Sequence, residues 1–132
     1  MMTAGTLAPK ARHIALERRF SQADFDAFAR ISGDDNPIHV DPAFSARTRF
    51  GQTVAHGALL CSVLRGLVET LVPGGRQLSQ NTQYPAPSPA GETLRFEAEI
   101  IAETEAGYRL ALTVTRLGDS VVTCLGETEV AA

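Results

Sequence analysis

The sequence predicts an α+β fold in which a curved antiparallel sheet of about five strands wraps around a long central helix. Residues 56–71 are apolar around most of a helical circumference, which is typical of a helix buried on nearly all sides. Residues 94–130 instead alternate apolar and polar side chains, as half-buried strands do. One buried helix and a set of antiparallel strands pack most simply when the sheet encloses the helix.

Length and charge limit the possible partners. The chain has 132 residues, of which 44% are hydrophobic, and we expect a single domain over residues 1–132 with its own core. Its formal net charge of −3 disfavours a nucleic-acid-binding surface and an anionic membrane partner. No apolar run reaches the length of about 18 residues that spans a bilayer. We therefore expect neither nucleic acid nor membrane as a partner.

Two features predict a cytoplasmic protein. The N-terminus has no apolar stretch of the kind found in secretory signal peptides. Cys61 and Cys124 lie inside apolar segments, without the spacing of a disulfide framework or a metal site. Both are therefore expected to be reduced core residues.

The first part of the chain predicts a strand followed by a helix. Residues 1–12 are small and polar and are expected to be flexible, whereas residues 13–19 alternate weakly, as a strand would. Ser21 is a good N-cap because its hydroxyl can accept a backbone N–H of the first turn. Gly33 predicts the end of this helix, since glycine tolerates the left-handed cap conformation.

Two further helices are expected after a turn-rich segment at residues 32–37. Asp41 and Pro42 predict the N-cap and first-turn proline of a short helix that extends to Thr48. The long helix is expected over residues 56–71. Its narrow polar stripe consists of Ser62, Arg65, Gly66 and Glu69.

The rest of the chain predicts strands. They are expected at residues 78–84, 94–100, 108–114 and 121–130. The last three are joined by short turns and predict an antiparallel meander. A sheet this small leaves an edge open to solvent, and pairing with a second copy covers such an edge, so we expect a homodimer.

Asp34 and His39 are candidate catalytic residues. They lie five residues apart across an Asp-Asn-Pro turn, and Pro37 stiffens the chain between them because it fixes its own φ and restricts Asn36. A carboxylate beside an imidazole can hold a water molecule, with one group removing a proton and the other delivering one. The alternative is that Asp34 only satisfies backbone groups of the turn.

His56 and Gly57 begin the long helix and are candidates for substrate binding. The first N–H groups of a helix lack internal partners and attract developing negative charge. Gly57 has no side chain, so a ligand oxygen can approach its N–H, which is what an oxyanion hole requires. The alternative is that His56 only caps the helix and Gly57 only allows a tight entry.

Metal binding is the less favoured interpretation of the same residues. Asp34, His39, Asp41 and His56 carry ligand groups, but they lack the spacings of known metal motifs, so no metal site is predicted. The chain also has no glycine-rich phosphate loop and no nucleophile elbow.

Four short segments of the chain form a family pattern. They are SGDDNPIHVDPAF at residues 32–44, VAHG at 54–57, QYPAP at 83–87 and GETLRF at 91–96. Together they resemble the MaoC-like (R)-specific enoyl-CoA hydratases, and the resemblance extends over roughly residues 18–130. That family has the hot-dog fold, in which a curved antiparallel sheet wraps a long helix and the chains pair into dimers.

By position, this resemblance assigns the catalytic pair to Asp34 and His39. It implies that they hold a water molecule that adds to C3 of a trans-2-enoyl thioester while a proton is delivered to C2. The product is an (R)-3-hydroxyacyl thioester, and the reverse reaction is a dehydration. Gly57 takes the place of the backbone donor to the thioester oxygen, and we also assign Asn36 and His56 to substrate binding. No metal or redox cofactor is implied, and coenzyme A or acyl carrier protein is only the carrier of the acyl group.

Two other functions remain open on sequence alone. A thioesterase of the same fold would hydrolyse the acyl thioester, but such enzymes generally place their acid on or beside the central helix, where this chain offers only Glu69. A non-catalytic acyl-thioester-binding subunit would be expected to lack Asp34 or His39. Asp35 offers a second carboxylate, although only Asp34 has the family's spacing to His39. Arg65 stands where a small or hydroxyl side chain is expected, and it either narrows or polarises the acyl pocket or faces a partner.

Overall fold

The structure is a computed structural model, and it describes residues 8–132. Residues 1–7, the larger part of the segment predicted to be flexible, lie outside the described residues, and residues 8–12 form neither helix nor strand. In chain order the elements are β1 His13–Arg19, α1 Gln22–Ser32, α2 Pro37–Val40, α3 Pro42–Ser45, α4 Gly57–Leu71, β2 Arg76–Gln83, β3 Thr93–Glu103, β4 Gly107–Arg116 and β5 Val121–Ala131.

The strands form one five-stranded antiparallel sheet with the order β1-β3-β4-β5-β2. β3, β4 and β5 make the predicted meander, with Phe96 opposite Val114 and Val114 opposite Cys124. β1 and β2 are the edge strands, because within the described part of the chain β1 pairs only with β3 and β2 only with β5. The predicted α+β architecture is confirmed.

The hydrophobic core lies between α4 and the inner face of the sheet. From Leu94 to Ile100, every second residue of β3 is buried, as in a strand with one face on a core. The core residues contributed by α4 and the meander are Leu60, Leu64, Leu67, Val68, Leu71, Leu94, Phe96, Ala98, Ile100, Leu110, Leu112, Val114, Cys124 and Val130.

α4 is buried on one side rather than around most of its circumference. Ser62, Gly66 and Glu69 are exposed, as the predicted polar stripe requires, but Leu59 and Val63 are only half-buried. The physical reason is that, within residues 8–132, α4 packs mainly on β3, β1 and β4, which cover one side of the helix. No helix within residues 8–132 is both long and apolar enough to cross a membrane.

α1 begins and ends where the sequence predicts. The Ser21 hydroxyl accepts the N–H of Asp24, and the Asp24 carboxylate accepts the N–H of Ser21 at 2.8 Å, so the two residues form a capping box. Gly33 ends the helix with a φ of 82°, and its N–H donates to the carbonyl of Ala29. This left-handed cap turns the chain into the segment that carries Asp34.

The segment after α1 contains a helix that the sequence does not predict. Residues 37–40 form the short helix α2, which Asn36 caps by accepting a backbone N–H with its side-chain oxygen. Pro37 takes the first helical position, where its missing N–H is no loss. α3 is shorter than predicted: it ends at Ser45, and the hydroxyl of Thr48 donates to the Ser45 carbonyl in the turn that follows.

Candidate active site

A cavity of about 560 Å³ opens between α2, the N-terminal end of α4 and the proline-rich connection after β2. This volume lies in the range of about 300–1,000 Å³ that is usual for small-molecule sites. Its wall includes His39, Gly57, Leu60, Tyr84, Ser88 and Thr123. Two of the residues that the sequence predicts for the site, His39 and Gly57, therefore share one cavity.

His39 is held with one ring nitrogen available as a base. The residue is 8% exposed, and its Nδ1 lies 2.8 Å from the carbonyl oxygen of Val54. Because a carbonyl oxygen only accepts hydrogen bonds, Nδ1 carries the proton and donates it to Val54. In the neutral ring this leaves Nε2 as the acceptor. Nε2 is also the nitrogen that faces the carboxylate of Asp34.

The Asp34 carboxylate stands opposite His39 without touching it. Its Oδ2 lies 3.8 Å from Nε2 of His39, which is too long for a direct hydrogen bond. The Asp34 side chain is 56% exposed and that of His39 is 10% exposed, so the pair lies at the boundary between protein interior and solvent. Two acceptors at this separation can each accept one O–H of a single water molecule, which would fix the orientation of that water.

His56 lies behind this pair. The residue is 1% exposed, and its Nε2 lies 2.9 Å from the carbonyl oxygen of Asp34, to which it donates. Its ring stacks on that of His39, with centroids 3.8 Å apart and planes inclined by 22°. The sequence assigns His56 to substrate binding, whereas in the structure the side chain contacts the backbone of Asp34 and the ring of His39. Through these contacts His56 positions Asp34 and His39 relative to each other.

Gly57, the first residue of α4, lies in the cavity wall. His56 is the N-cap with a ψ of 136°, and α4 begins at Gly57, so the Gly57 N–H lies at the positive end of the helix dipole. Tyr84 packs over this position: a Cβ atom added at Gly57 would lie 2.6 Å from Cζ of Tyr84. Glycine is therefore needed for the close approach of Tyr84 as well as for access to the N–H.

Tyr84 is anchored to α4 by Cys61. The Tyr84 hydroxyl lies 3.1 Å from the Cys61 sulfur, and Nε2 of Gln80 donates to the same sulfur at 3.4 Å. Burial and the contact with Cys61 raise the pKa of Tyr84 to about 12, so the phenol is neutral at physiological pH. The sequence does not predict a role for Tyr84 at the site. The signal that points to it is its position in the family-like segment QYPAP at residues 83–87.

Three other residues that the sequence singles out lie outside the Asp34–His39 pair. Asn36 is exposed and caps α2 with its side-chain oxygen. Asp35 is exposed in the loop before α2. Arg65 donates to the carbonyl of Gly75 at 3.3 Å and lies 3.6 Å from the carboxylate of Glu69. Its guanidinium therefore binds the loop after α4 and does not line the cavity.

Asp34, His39 and His56 are close enough to be tested as metal ligands, since one ligand atom of each lies within 4.8 Å of the others. A metal ion lies in the plane of each imidazole that binds it, at about 2.0–2.1 Å from the nitrogen. The two rings are stacked, so their lone pairs lie in two nearly parallel planes, and a single ion would not lie in both planes. Asp41, the fourth candidate ligand, caps α3 with its carboxylate. The geometry suits an acid–base pair better than a metal centre.

Comparison with known proteins gives related sequences with a common chemistry. A family model described as MaoC like domain matches residues 5–127. The (R)-specific enoyl-CoA hydratase of Aeromonas caviae is 39% identical over 92 residues, which cover 68% of this chain and 69% of that protein. The 3-hydroxybutyryl-CoA dehydratase of Methylorubrum extorquens is 37% identical over 112 residues, covering 81% of this chain and 70% of that protein.

Solved structures share the architecture. The (R)-hydratase from A. caviae involved in PHA biosynthesis superposes with a TM-score of 0.85 at 32% identity, covering 96% of this chain and 97% of that chain. An R-hydratase from Pseudomonas aeruginosa superposes with a TM-score of 0.83 at 27% identity, covering 96% of this chain and 81% of that chain. The sheet wrapped around α4 is thus the hot-dog fold, in the class that processes acyl thioesters. The chain belongs to the MaoC-like family, as its motifs predict.

Proposed function

We propose that the protein is an (R)-specific 2-enoyl-CoA hydratase, which adds water to a trans-2-enoyl thioester and, in reverse, dehydrates an (R)-3-hydroxyacyl thioester. The observation that carries the proposal is the 3.8 Å gap between Oδ2 of Asp34 and Nε2 of His39, with His39 at the wall of the cavity. The names of the two relatives at 39% and 37% identity support the same chemistry.

The Asp34–His39 pair suits an acid–base reaction that involves no oxidation or reduction. A water molecule between the two groups loses a proton to one of them as its oxygen forms a bond to C3. The π electrons of the double bond move toward C2 and the thioester carbonyl. The proton taken from the water passes to the other group of the pair, which delivers it to C2, so both groups end in the unprotonated state in which they started. Atoms and charge therefore balance, and we propose that no cofactor takes part.

Gly57 supplies the stabilising donor in this proposal. Addition of water at C3 places negative charge on the thioester oxygen, as in an enolate. The N–H of Gly57, at the N-terminal end of α4, is a hydrogen-bond donor in the same cavity as His39. Loss of a single donor of this kind typically lowers kcat by about 10²–10³-fold.

The decisive experiment follows the ultraviolet absorbance of the conjugated enoyl thioester in trans-2-butenoyl-CoA mixed with the purified protein. A thiol reagent in a parallel reaction detects free coenzyme A, and chiral chromatography identifies the configuration of the 3-hydroxybutyryl product. We expect absorbance loss without thiol release and an (R) product. Asp34→Asn serves as the inactive control, and Asp35→Asn is the matched variant expected to stay active.

Two results would overturn the proposal in different directions. Release of free coenzyme A at the rate of absorbance loss would identify a thioesterase. Tight binding of acyl-CoA, with neither absorbance loss nor thiol release for any enoyl chain length, would identify a non-catalytic binding subunit.

Coenzyme A is the proposed carrier of the acyl group. Arg49 lines the cavity and is exposed, with its guanidinium 4.9 Å from the centroid of the Phe50 ring, and a cation at a cavity mouth suits an anionic carrier. Acyl carrier protein offers a phosphate group as well. Rates with the same butenoyl group on each carrier, at matched concentrations, distinguish the two.

We further propose a cytoplasmic homodimer. The location is supported by Cys61 and Cys124, which are both free thiols. The dimer is supported by the open edge of β2, where Leu78 is exposed, and by the half-buried apolar residues on the outer side of α4. Light scattering on a sizing column should give twice the chain mass, and Leu78→Glu should shift the equilibrium toward the monomer if β2 lies in the interface.

A further inference from the structure

Two residues of the cavity wall carry buried hydroxyl groups that have no part in the proposed hydration. Ser88 is 3% exposed and Thr123 is 0% exposed, and both residues line the cavity that holds His39 and Gly57. Neither hydroxyl oxygen has a hydrogen-bond partner within residues 8–132. Buried hydroxyls in folded proteins are nearly always paired, because an unpaired one loses its hydrogen bonds to water without replacement.

Thr123 owes its position to an irregularity in the sheet. Val114 pairs with Cys124 while Thr115 pairs with Val122, so Thr123 is an extra residue without a partner on β4. Neighbouring residues of a regular strand face opposite sides of the sheet, but at this bulge Thr123 and Cys124 are both buried. Bulges often re-aim a side chain beside a functional site, and this one places a threonine at the cavity wall.

Ser88 is fixed through its backbone. Its carbonyl accepts the N–H of Ala55 at 2.8 Å, and the neighbouring Pro89 forms a β-bridge with Val54. These contacts tie the proline-rich connection to the segment that leads into α4. The backbone of Ser88 is therefore held at the cavity wall.

The remaining buried wall of the cavity is mainly hydrocarbon, including Val54 and Leu60. Ser88→Ala or Thr123→Val would remove a hydroxyl at nearly constant volume, so a plain alkyl ligand does not account for these two side chains. A ligand with a neutral oxygen atom accounts for them, because that oxygen can form hydrogen bonds with the hydroxyl groups. A charged group fits less well, because no lysine or carboxylate of the described residues lines the cavity and its arginine, Arg49, is exposed.

We propose that Ser88 and Thr123 form a polar subsite that hydrogen-bonds a neutral oxygen atom on the acyl chain. The preferred substrate is then a 2-enoyl thioester with a keto or hydroxyl oxygen beyond the double bond. This inference rests on the proposed hydratase function for the reaction at C2 and C3, and it adds the chemical class of the acyl group.

Binding of saturated acyl-CoAs tests the subsite without a chemical step. The probes are two matched pairs in which a keto oxygen replaces a methyl group: 4-oxopentanoyl-CoA with 4-methylpentanoyl-CoA, and 5-oxohexanoyl-CoA with 5-methylhexanoyl-CoA. Dissociation constants are measured by titration calorimetry for the wild type, Ser88→Ala, Thr123→Val and the double variant. Thr70→Val is the control, because the Thr70 hydroxyl donates to the carbonyl of Gly66 near the far end of α4.

We expect the wild type to bind at least one keto compound about tenfold more tightly than its methyl partner, the size of effect typical of one hydrogen bond in a buried site. Each single variant should lose most of this preference, the double variant all of it, and Thr70→Val none. Equal binding within both pairs in the wild type would overturn the subsite. So would a preference that survives in the double variant, or a crystal structure of the keto complex in which a water molecule alone satisfies both hydroxyls.

Hydration of trans-2-butenoyl-CoA by the same wild-type preparation separates this inference from the proposed function. Hydration without a keto preference would overturn the subsite and leave the hydratase in place. A keto preference without hydration of any enoyl thioester would keep the subsite and overturn the hydratase.

Discussion

The two nitrogens of His39 have different environments, and this difference sets what the side chain can do. Nδ1 donates to the carbonyl of Val54 at 2.8 Å, so the neutral ring has its lone pair on Nε2, toward Asp34. Asp34 is largely exposed, which keeps its carboxylate hydrated and available as a second acceptor. A base held in one tautomer opposite a carboxylate is what a water-activating site needs.

Replacement of the Asp34 carboxylate by an amide tests this pair most directly. Asp34→Asn keeps the shape of the side chain but removes its basicity, so we expect kcat for hydration to fall by about 10²–10⁴-fold, the usual effect of losing a general acid–base group. His39→Ala should have an effect of the same size. Asp35→Asn is the control and should stay within about tenfold of the wild type; a larger loss there than in Asp34→Asn would mean that Asp35 is the catalytic carboxylate.

His56 gives a second prediction for a single residue. His56→Phe keeps an aromatic ring against His39 but removes the hydrogen bond to the Asp34 carbonyl. We expect kcat to fall by up to about 10²-fold while KM changes little, because a misplaced catalytic group slows chemistry without removing a substrate contact. His56→Gln, which retains an N–H donor, should recover part of kcat. An increase in KM at unchanged kcat would instead support the substrate-binding role assigned from sequence.

Among the helices and strands, the start of α4 places the most constraints on the site. Gly57, the first residue of this helix, lines the cavity, and Cys61 one turn later contacts the hydroxyl of Tyr84. Tyr84 directly follows β2, so α4 and the connection after this edge strand share one contact at the cavity wall. The proposed role of Gly57 therefore depends on its position at the start of α4 as well as on its lack of a side chain.

A methyl group at Gly57 tests this arrangement. In Gly57→Ala the new Cβ collides with the ring of Tyr84, a residue that is 48% exposed and has room to move, so we expect the protein to fold but kcat to fall by about 10²-fold. The double variant Gly57→Ala/Tyr84→Ala removes the collision. We expect its kcat to remain low, because the methyl group still blocks a thioester oxygen from the N–H.

Gly66→Ala is the matched control for that experiment. Gly66 lies in the middle of α4, and an added Cβ meets nothing within 4 Å. The substitution should leave kcat unchanged and raise the unfolding free energy by about 0.5–1 kcal/mol, since alanine is the better helix former.

A full recovery of kcat in the Gly57→Ala/Tyr84→Ala variant would contradict the proposed role of the Gly57 N–H. It would show that the displaced Tyr84 ring, and not a blocked N–H, lowers kcat in Gly57→Ala.

At the scale of the whole molecule, the core determines how stability depends on alkaline pH. Cys124 lies fully buried between α4 and the sheet, and this burial raises the pKa of its thiol from 9.0 to about 12. The unfolded chain therefore loses the thiol proton above pH 9, whereas the folded chain keeps it until about pH 12. The contribution of the neutral Cys124 thiol to the unfolding free energy is complete below pH 9. It is lost as the pH rises from 9 to about 12.

The difference in unfolding free energy between the wild type and Cys124→Ala isolates this effect. Urea unfolding at pH 7, 8, 9, 10 and 11 should show a constant difference up to about pH 8 and then a decrease that approaches about 1.4 kcal/mol for each pH unit. Other titrating groups cancel because both proteins contain them. A difference that stays constant to pH 11 would mean that the Cys124 thiol is not held neutral by the fold.

Local patterns allowed most elements to be predicted, and the exceptions have physical causes. The alternation from Leu94 to Ile100 predicts β3 because the side-chain period of a strand is visible within a few residues. α2 was not predicted, since four residues are too few to show a helical period. The bulge at Thr123 was also not predicted, because it depends on the register between β5 and β4 and not on the residues of β5 alone.

The sequence by itself determined the fold class, the caps of α1 and the meander, and it predicted Asp34 and His39 as a pair across a short turn. All of these depend on residues that are close along the chain. Only the tertiary structure decided which nitrogen of His39 carries the proton, because Val54 is 15 residues away. It likewise decided that His56 stacks behind His39, since interactions between distant segments depend on how the chain packs and leave no mark in local composition.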